Sequence, residues 1–253
     1  MTGRVAALAR HPVKSFTPEP LSSVHLRAGA HFPGDRLYAV EDGPSGFDPE
    51  APEHIKKMAF TVLAKLPEVA AVRTKWNEDE GTLTAWHPDF GEITIDLEDD
   101  SGRSVFATWL SGVLAGKVRG PLKVLAAPNA HRFMDSRTGF VSLINLESVR
   151  DFEAKIGRPV DPARFRGNVM VEGWPAWSEL EMADQEIAIG GARLRGIKPI
   201  ERCTATHVDP HTAVRDIDVV PLLRQHYGHF NCGLYAEVAI SGNIHAGDAA
   251  GPL

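Results

Sequence analysis

VAAVRTKWNEDEGTLTAW, residues 69–86, divides at the polar, glycine-containing loop 77–81 into two runs rich in β-branched and aromatic side chains. The pattern predicts a β-hairpin. A second hairpin is expected over residues 186–194, turning at Gly190-Gly191. Polar and apolar residues also alternate over 23–27 and 92–97, and Leu234, Ala236, Val238 and Ile240 form the apolar face of a late strand. Successive strand side chains point to opposite faces, so alternation buries one face and leaves the other wet. Helical spacing is confined to short pieces. Phe106, Trp109, Leu110, Val113 and Leu114 share one face before a stop at Gly116. Residues 146–156 lie between an Asn145 cap and Gly157, and 219–227 tolerate Pro221 in the first turn. Short strands broken by turns predict a mainly β (α+β) fold with a barrel-like core and a few short helices. The seam is expected within 116–128, dividing the chain into a β-rich, barrel-like unit over 1–118 and a second over 119–253.

A chain of 253 residues can bury a core without disulfides or metal staples. Its 27 Lys and Arg against 33 Asp and Glu give a net charge of −6, which argues against a generic nucleic-acid binder. The apolar stretch 5–9 stops at Arg10, too short for a signal-peptide core, and no run approaches the ~18 apolar residues that span a bilayer. The expectation is a soluble, cytoplasmic protein without a nucleic-acid or membrane partner.

The densest polar cluster is Glu201-Arg202-Cys203-Thr204-Ala205-Thr206-His207-Val208-Asp209-Pro210-His211. A cysteine beside a cation is a candidate nucleophile or metal ligand, since the thiolate is the reactive form. The alternative is a small buried hydrophobe, which is the simplest account of Cys232. Cys203, His207 and His211 also offer ligands for zinc, although Pro210 prevents a regular helix from placing both histidines on one face. Elsewhere Lys14-Ser15, Arg36 after Gly34-Asp35, and Arg164-Phe165-Arg166-Gly167-Asn168 present cations beside turn-prone backbone, a chemistry suited to phosphate. The P-loop, dinucleotide and nucleophile-elbow signatures are missing.

In this order the segments resemble a MOSC-domain protein, named for the C-terminal domain of molybdenum cofactor sulfurases, with the N-terminal β-barrel domain that accompanies it in the amidoxime-reducing family. The matching pieces are His11-Pro12-Val13-Lys14-Ser15, Asp35-Arg36, Arg164-Phe165-Arg166-Gly167-Asn168, Arg202-Cys203 with Val208-Asp209-Pro210, Gly233-x-Tyr235, and Gly242-Asn243-Ile244-His245-Ala246-Gly247-Asp248. The resemblance implies a MOSC-type β-barrel packed with the N-terminal domain, and a bound molybdopterin-type molybdenum cofactor. Cys203 matches the family cysteine that ligates molybdenum. Lys14, Ser15, Arg36, Arg166, Asn168 and Arg202 fall on positions that hold phosphate and pterin, with Tyr235 and Thr138 as further contacts. Family members often carry Tyr where His11 stands, and Asp-Thr-Gly where His211-Thr212-Ala213 stands. Residues 53–72 look more like a bacterial subgroup than the mitochondrial enzymes, and nothing resembles a pyridoxal-phosphate-dependent desulfurase domain.

The resemblance implies a molybdenum-dependent oxidoreductase acting on a small, N-hydroxylated or otherwise oxidised substrate. Two cysteines cannot supply the usual four ligands of an iron–sulfur cluster, so a separate redox protein is expected as electron donor. The alternative is a cofactor or sulfur carrier without turnover.

Overall fold

A computed structural model describes residues 2–128, 131–138 and 140–253. The chain opens with β1 (Gly3–Arg10), β2 (Glu19–Leu21), β3 (Ser23–Leu26) and β4 (Tyr38–Asp42). It continues through the meander β5 (Arg73–Asn77), β6 (Thr82–His87) and β7 (Gly91–Asp96) to helix α1 (Asp100–Val113) and β8 (Leu122–Ala126). Strand β9 (Val141–Asn145) leads directly into α2 (Leu146–Ile156), followed by β10 (Val169–Glu172), β11 (Glu186–Ile189) and β12 (Ala192–Glu201). The chain ends with α3 (Val219–Tyr227), β13 (Asn231–Ile240), β14 (Gly242–His245) and β15 (Ala249–Pro252).

The fold is mostly β. Strands β10-β9-β13-β12-β11-β15-β1 form a sheet that closes on itself where β1 pairs with β10. Closure removes the free edges that an open sheet exposes. Inside lie Val5 and Leu8 of β1, Leu143 of β9, Val169 and Val171 of β10, Leu194 of β12, and Leu234 and Ala236 of β13. The strand that closes the barrel comes from the opposite end of the chain, and β3 likewise pairs with β14. Hydrogen bonding therefore crosses the seam expected near residue 118.

The second core gathers around α1, whose Phe106 and Leu110 pack with Leu83 and Ile95 of the meander and with Val40 and Val124 of the β4–β8 ladder. Val13 and Phe16, which leave the barrel after β1, join this core and so lock the two units together.

The 186–194 hairpin forms as expected, with Ile189 opposite Ala192 across Gly190-Gly191. Helix α2 begins where Asn145 accepts from the Glu147 N–H and ends at Gly157 in the left-handed conformation, and α3 spans the predicted residues. The first hairpin is shorter than its pattern. Residues Pro67–Ala71 form a 3-10 turn that buries Val69, and the strand starts at Arg73. Helix α1 starts earlier than its apolar periodicity, because Asp99 caps the Ser101 and Gly102 N–H groups over a polar first turn. Ile240 leaves the expected apolar face and is 50% exposed. The β12–β13 register shifts between Arg193 and Leu194, leaving Ala239 unpaired and turning Ile240 outward.

Candidate functional site

A cavity of about 500 Å3 lies between the barrel and the α1 unit. Chain exits from both cores feed it. Lys14 and Ser15 follow β1, Arg36 precedes β4, and Asp135 and Ser136 precede β9. Arg166 precedes β10, Arg202 and Cys203 follow β12, and Tyr235 projects from β13 on the side opposite the buried Leu234 and Ala236. Ser15, Arg36 and Arg166 all have positive φ, at 76°, 49° and 51°. That region is sparsely populated by non-glycine residues and costs about 1 kcal/mol or more at each position. The fold holds these three side chains at the cavity despite the strain.

The cations differ in their partners. Lys14 Nζ donates to the Phe133 carbonyl at 2.7 Å and to the Asp135 carboxylate. Burial, opposed by Asp135, holds its ammonium below the usual lysine range. Arg36 pairs with buried Asp35 and donates to the Arg166 carbonyl at 3.2 Å. Arg166 has no carboxylate in its hydrogen-bond set. Its Nη1 donates to the Phe16 carbonyl at 2.9 Å, and its Nη2 is buried without a partner among the described residues. Burial, then the neighbouring Arg36, pushes Arg166 down to about 9. A buried guanidinium with an unspent N–H donor has the chemistry to bind an anion.

Arg202 lines the cavity but spends its donors on backbone, with Nε to the Cys232 carbonyl at 2.7 Å and Nη1 to the Phe165 carbonyl at 2.8 Å. Its guanidinium lies over the Phe165 ring at 5.2 Å. It pins the loop that carries Arg166 to β13. The adjoining Gly233 has φ 88°, and a Cβ there would meet the Leu143 carbonyl oxygen at 2.5 Å, so only glycine lets the strands approach.

Cys203 is half-buried and opens the 3-10 turn Thr204–His207, where its carbonyl accepts from Thr206. Lys57, from a turn at Lys57–Ala59, lines the same cavity as Cys203 and lies 3.9 Å from Asp135. Asp135 and Cys203 hold its ammonium above the usual range even though burial opposes this. Asp135 is itself held down at about 2 by Lys14 and Lys57, against its own burial.

Two expected contacts lie elsewhere. Asn168 is fully buried, accepts from the Ser142 N–H and hydroxyl at 3.1 and 2.8 Å, and donates to the Ala9 carbonyl at 3.2 Å. Every side-chain atom that could reach a ligand is committed to joining β1, β9 and β10. Thr138 is exposed and lines neither this cavity nor its neighbour, and Ser136 takes the cavity position and hydrogen-bonds the Thr138 backbone. Arg164 also borders the cavity, but its charge is spent on Asp209 at 2.9 Å and Asp216 at 2.8 Å, pairs that staple the loop after Cys203.

The zinc alternative loses its ligands to other partners. His207 is buried with Nε2 near the Val220 N–H at 3.3 Å, whereas His211 meets Asp161 on the surface at 2.7 Å. Among the described residues no group of three His, Cys, Asp or Glu converges to hold a metal ion. The sequence reading missed Lys57 and Asp135. Each looks like an ordinary surface charge until the chain folds.

A closed barrel locked to a helix-backed β meander defines a two-unit β protein, with a cationic cavity and a cysteine at the junction. The MOSC N-terminal beta barrel domain model matches residues 2–120 and the MOSC domain model matches residues 130–250. The chain belongs to the MOSC-domain family, which is associated with the molybdenum cofactor. Among solved structures, the YuaD protein from Bacillus subtilis is similar at 16% identity and a TM-score of 0.46, over 99% of this chain and 94% of that one. YiiM from Geobacillus stearothermophilus is similar at 18% identity and a TM-score of 0.38, over 52% of this chain and 67% of that one. YiiM from Escherichia coli is similar at 19% identity and a TM-score of 0.33, over 47% and 56%. No curated protein matches the sequence. Among the described residues, no helix is long and apolar enough to cross a membrane.

Proposed function

We propose that the chain binds a molybdopterin-type molybdenum cofactor in this cavity and reduces small N-hydroxylated or otherwise oxidised substrates there. The observation that carries the proposal is the buried, unpartnered Arg166 Nη2 in a cavity that also holds a half-buried cysteine. The donor set fits the group. Lys14, Ser15, Arg36 and Arg166 offer an ammonium, a hydroxyl and guanidinium forks to a phosphate, and Cys203 offers a soft thiolate to molybdenum. Tyr235, and the loop pinned by Arg202, border the remaining space for the pterin. When bound, the cofactor supplies two-electron oxygen-atom chemistry, and the protein orients it and tunes its surroundings.

The chain's own residues have separable tasks. Asp135 orients Lys14 and Lys57 from the cavity wall. Lys57 places an ammonium in the cavity that holds Cys203, and Arg164 fixes the loop behind the cysteine. A separate redox protein supplies electrons in this proposal.

Purification from a host that makes molybdopterin tests it. Molybdenum and pterin are expected near one per chain. Cys203→Ser is expected to keep the pterin and lose reduction of an amidoxime supplied with a redox donor. Cofactor bound by the unaltered protein without any turnover would identify a carrier instead, and zinc without pterin would overturn the proposal.

A further inference from the structure

A second cavity of about 450 Å3 shares a wall with the first, since Met134 and Ser136 line both. Asp135, between them in sequence, lines the first cavity and pairs there with Lys14 and Lys57. The partition between the two spaces is therefore a single stretch of chain beside Lys57.

The lining of the second cavity has its own chemistry. Arg132 and Arg137 supply guanidinium groups, and Glu53, which is exposed, is the one carboxylate among the described lining residues. Besides Met134 and Ser136, rings form the rest. His31 packs at a 35° tilt against Phe140 with centroids 3.9 Å apart, and His131 packs edge-on against Phe133 at 5.3 Å. Burial, then Arg132 and His54, lowers the His131 imidazole below its ordinary value, so near neutral pH it offers a ring face rather than a charge. The His54 Nε2 atom is buried with no hydrogen-bond partner among the described residues. Fixed positive charge beside closely packed rings, with no converging metal ligands among the described residues, suits a flat anion over a cation or a metal.

We infer that the second cavity binds a small aromatic carboxylate, with its carboxylate toward Arg132, Arg137 and His54 and its ring along His31 and Phe140. Bound there, the ligand lies across the Met134–Ser136 wall from Cys203. That wall separates the ligand from Cys203, so the inference concerns a second binding site and does not rest on the molybdenum proposal.

Titration calorimetry on the full chain without cofactor tests the binding, using benzoate, benzamide and cyclohexanecarboxylate. Benzoate is expected to bind saturably, with the neutral and the non-planar analogues each about tenfold weaker. Arg137 is exposed and hydrogen-bonds no described residue in a way that shapes the fold, so Arg137→Ala is expected to fold and to weaken benzoate about tenfold. Arg166→Met, in the first cavity, is expected to leave benzoate binding unchanged. Loss of binding in Arg166→Met but not in Arg137→Ala would put the anion in the first cavity and overturn the inference, as would the absence of saturable binding. Failure to find molybdenum would leave these binding results untouched, so the two proposals fail separately.

Discussion

The two rims of the first cavity handle positive charge in opposite ways. On the N-terminal rim Lys14 meets Asp135 and Arg36 meets Asp35, so each cation is answered by a carboxylate. On the barrel rim Arg166 and Arg202 donate only to backbone carbonyls, and Arg166 keeps one buried donor unspent. A paired cation presents little net field, whereas a buried cation facing neutral dipoles attracts any anion that fits. The excess positive charge of the site is therefore concentrated on the barrel rim, and the N-terminal rim contributes mainly oriented donors. The contrast is sharpest between Arg164 and Arg166, two residues apart: each keeps one buried N–H donor without a partner among the described residues, but Arg164 is paired with two aspartates and Arg166 hydrogen-bonds no carboxylate.

The largest test removes the carboxylate-paired partner. Arg164→Ala takes the buried guanidinium from Asp209 and Asp216, which keep backbone N–H donors and Arg158 respectively, and is expected to destabilise the protein by about 2–3 kcal/mol, read by chemical denaturation. The open partner should behave in reverse. Arg166→Met removes a buried charge with no counterion, so stability is expected to hold or rise. Pterin retained per chain is expected to fall by about tenfold or more, because a charge-assisted hydrogen-bond donor is gone.

The N-terminal rim has a pH signature. His11 is buried beside Asp35 and is pushed down to about 3 by burial and then by Arg166 and Arg36. Its folded value lies below its ordinary 6.5, so the unfolded chain binds the proton more readily. The stability it contributes is present above pH 6.5 and drains away as the pH falls toward 3. Between pH 7 and pH 5 the loss is expected to be about 2 kcal/mol. Denaturation curves of His11→Gln should be correspondingly flatter across that window. Equal slopes in the two proteins would remove His11 from the account.

The smallest effect concerns the loop that Arg164 staples. Ala213 occupies φ 60°, where family members often carry glycine, and its turn is kept by Asp209 accepting from the His211 and Thr212 N–H groups at 2.8 Å each. Relief of that strain in Ala213→Gly is expected to raise stability by about 1 kcal/mol, seen as a higher denaturation midpoint.

Local features were legible wherever a few neighbouring residues set the outcome. The Asn145 and Gly157 caps bound α2, and Gly190-Gly191 turns the β11–β12 hairpin. The segments carrying Lys14, Arg36, Arg166 and Cys203 also stood out, because cations and a cysteine beside turn-forming residues are unusual in short windows. What could not be read was which of those side chains would face the cavity. Asn168 and Arg166 sit in the same short motif, yet one is consumed by Ser142 and Ala9 and the other opens into the site. Ile240 followed the alternation and was turned out by a bulge whose partner lies on another strand.

The sequence by itself determined the mainly β composition, the three helices with both caps of α2, and the family signature, since each depends on neighbours within a turn or a strand. Only the tertiary structure decided that β1 closes the barrel, that α1 ends at Val113 before Gly116, that Lys57 and Asp135 belong to the site, and that Arg164 is paired with carboxylates where Arg166 is not. Those outcomes rest on partners such as Asp135 for Lys14 and Phe16 for Arg166, 121 and 150 positions away. Burial and pairing across such separations leave no periodicity in the chain, because they are set by how two cores pack and not by what any local segment prefers.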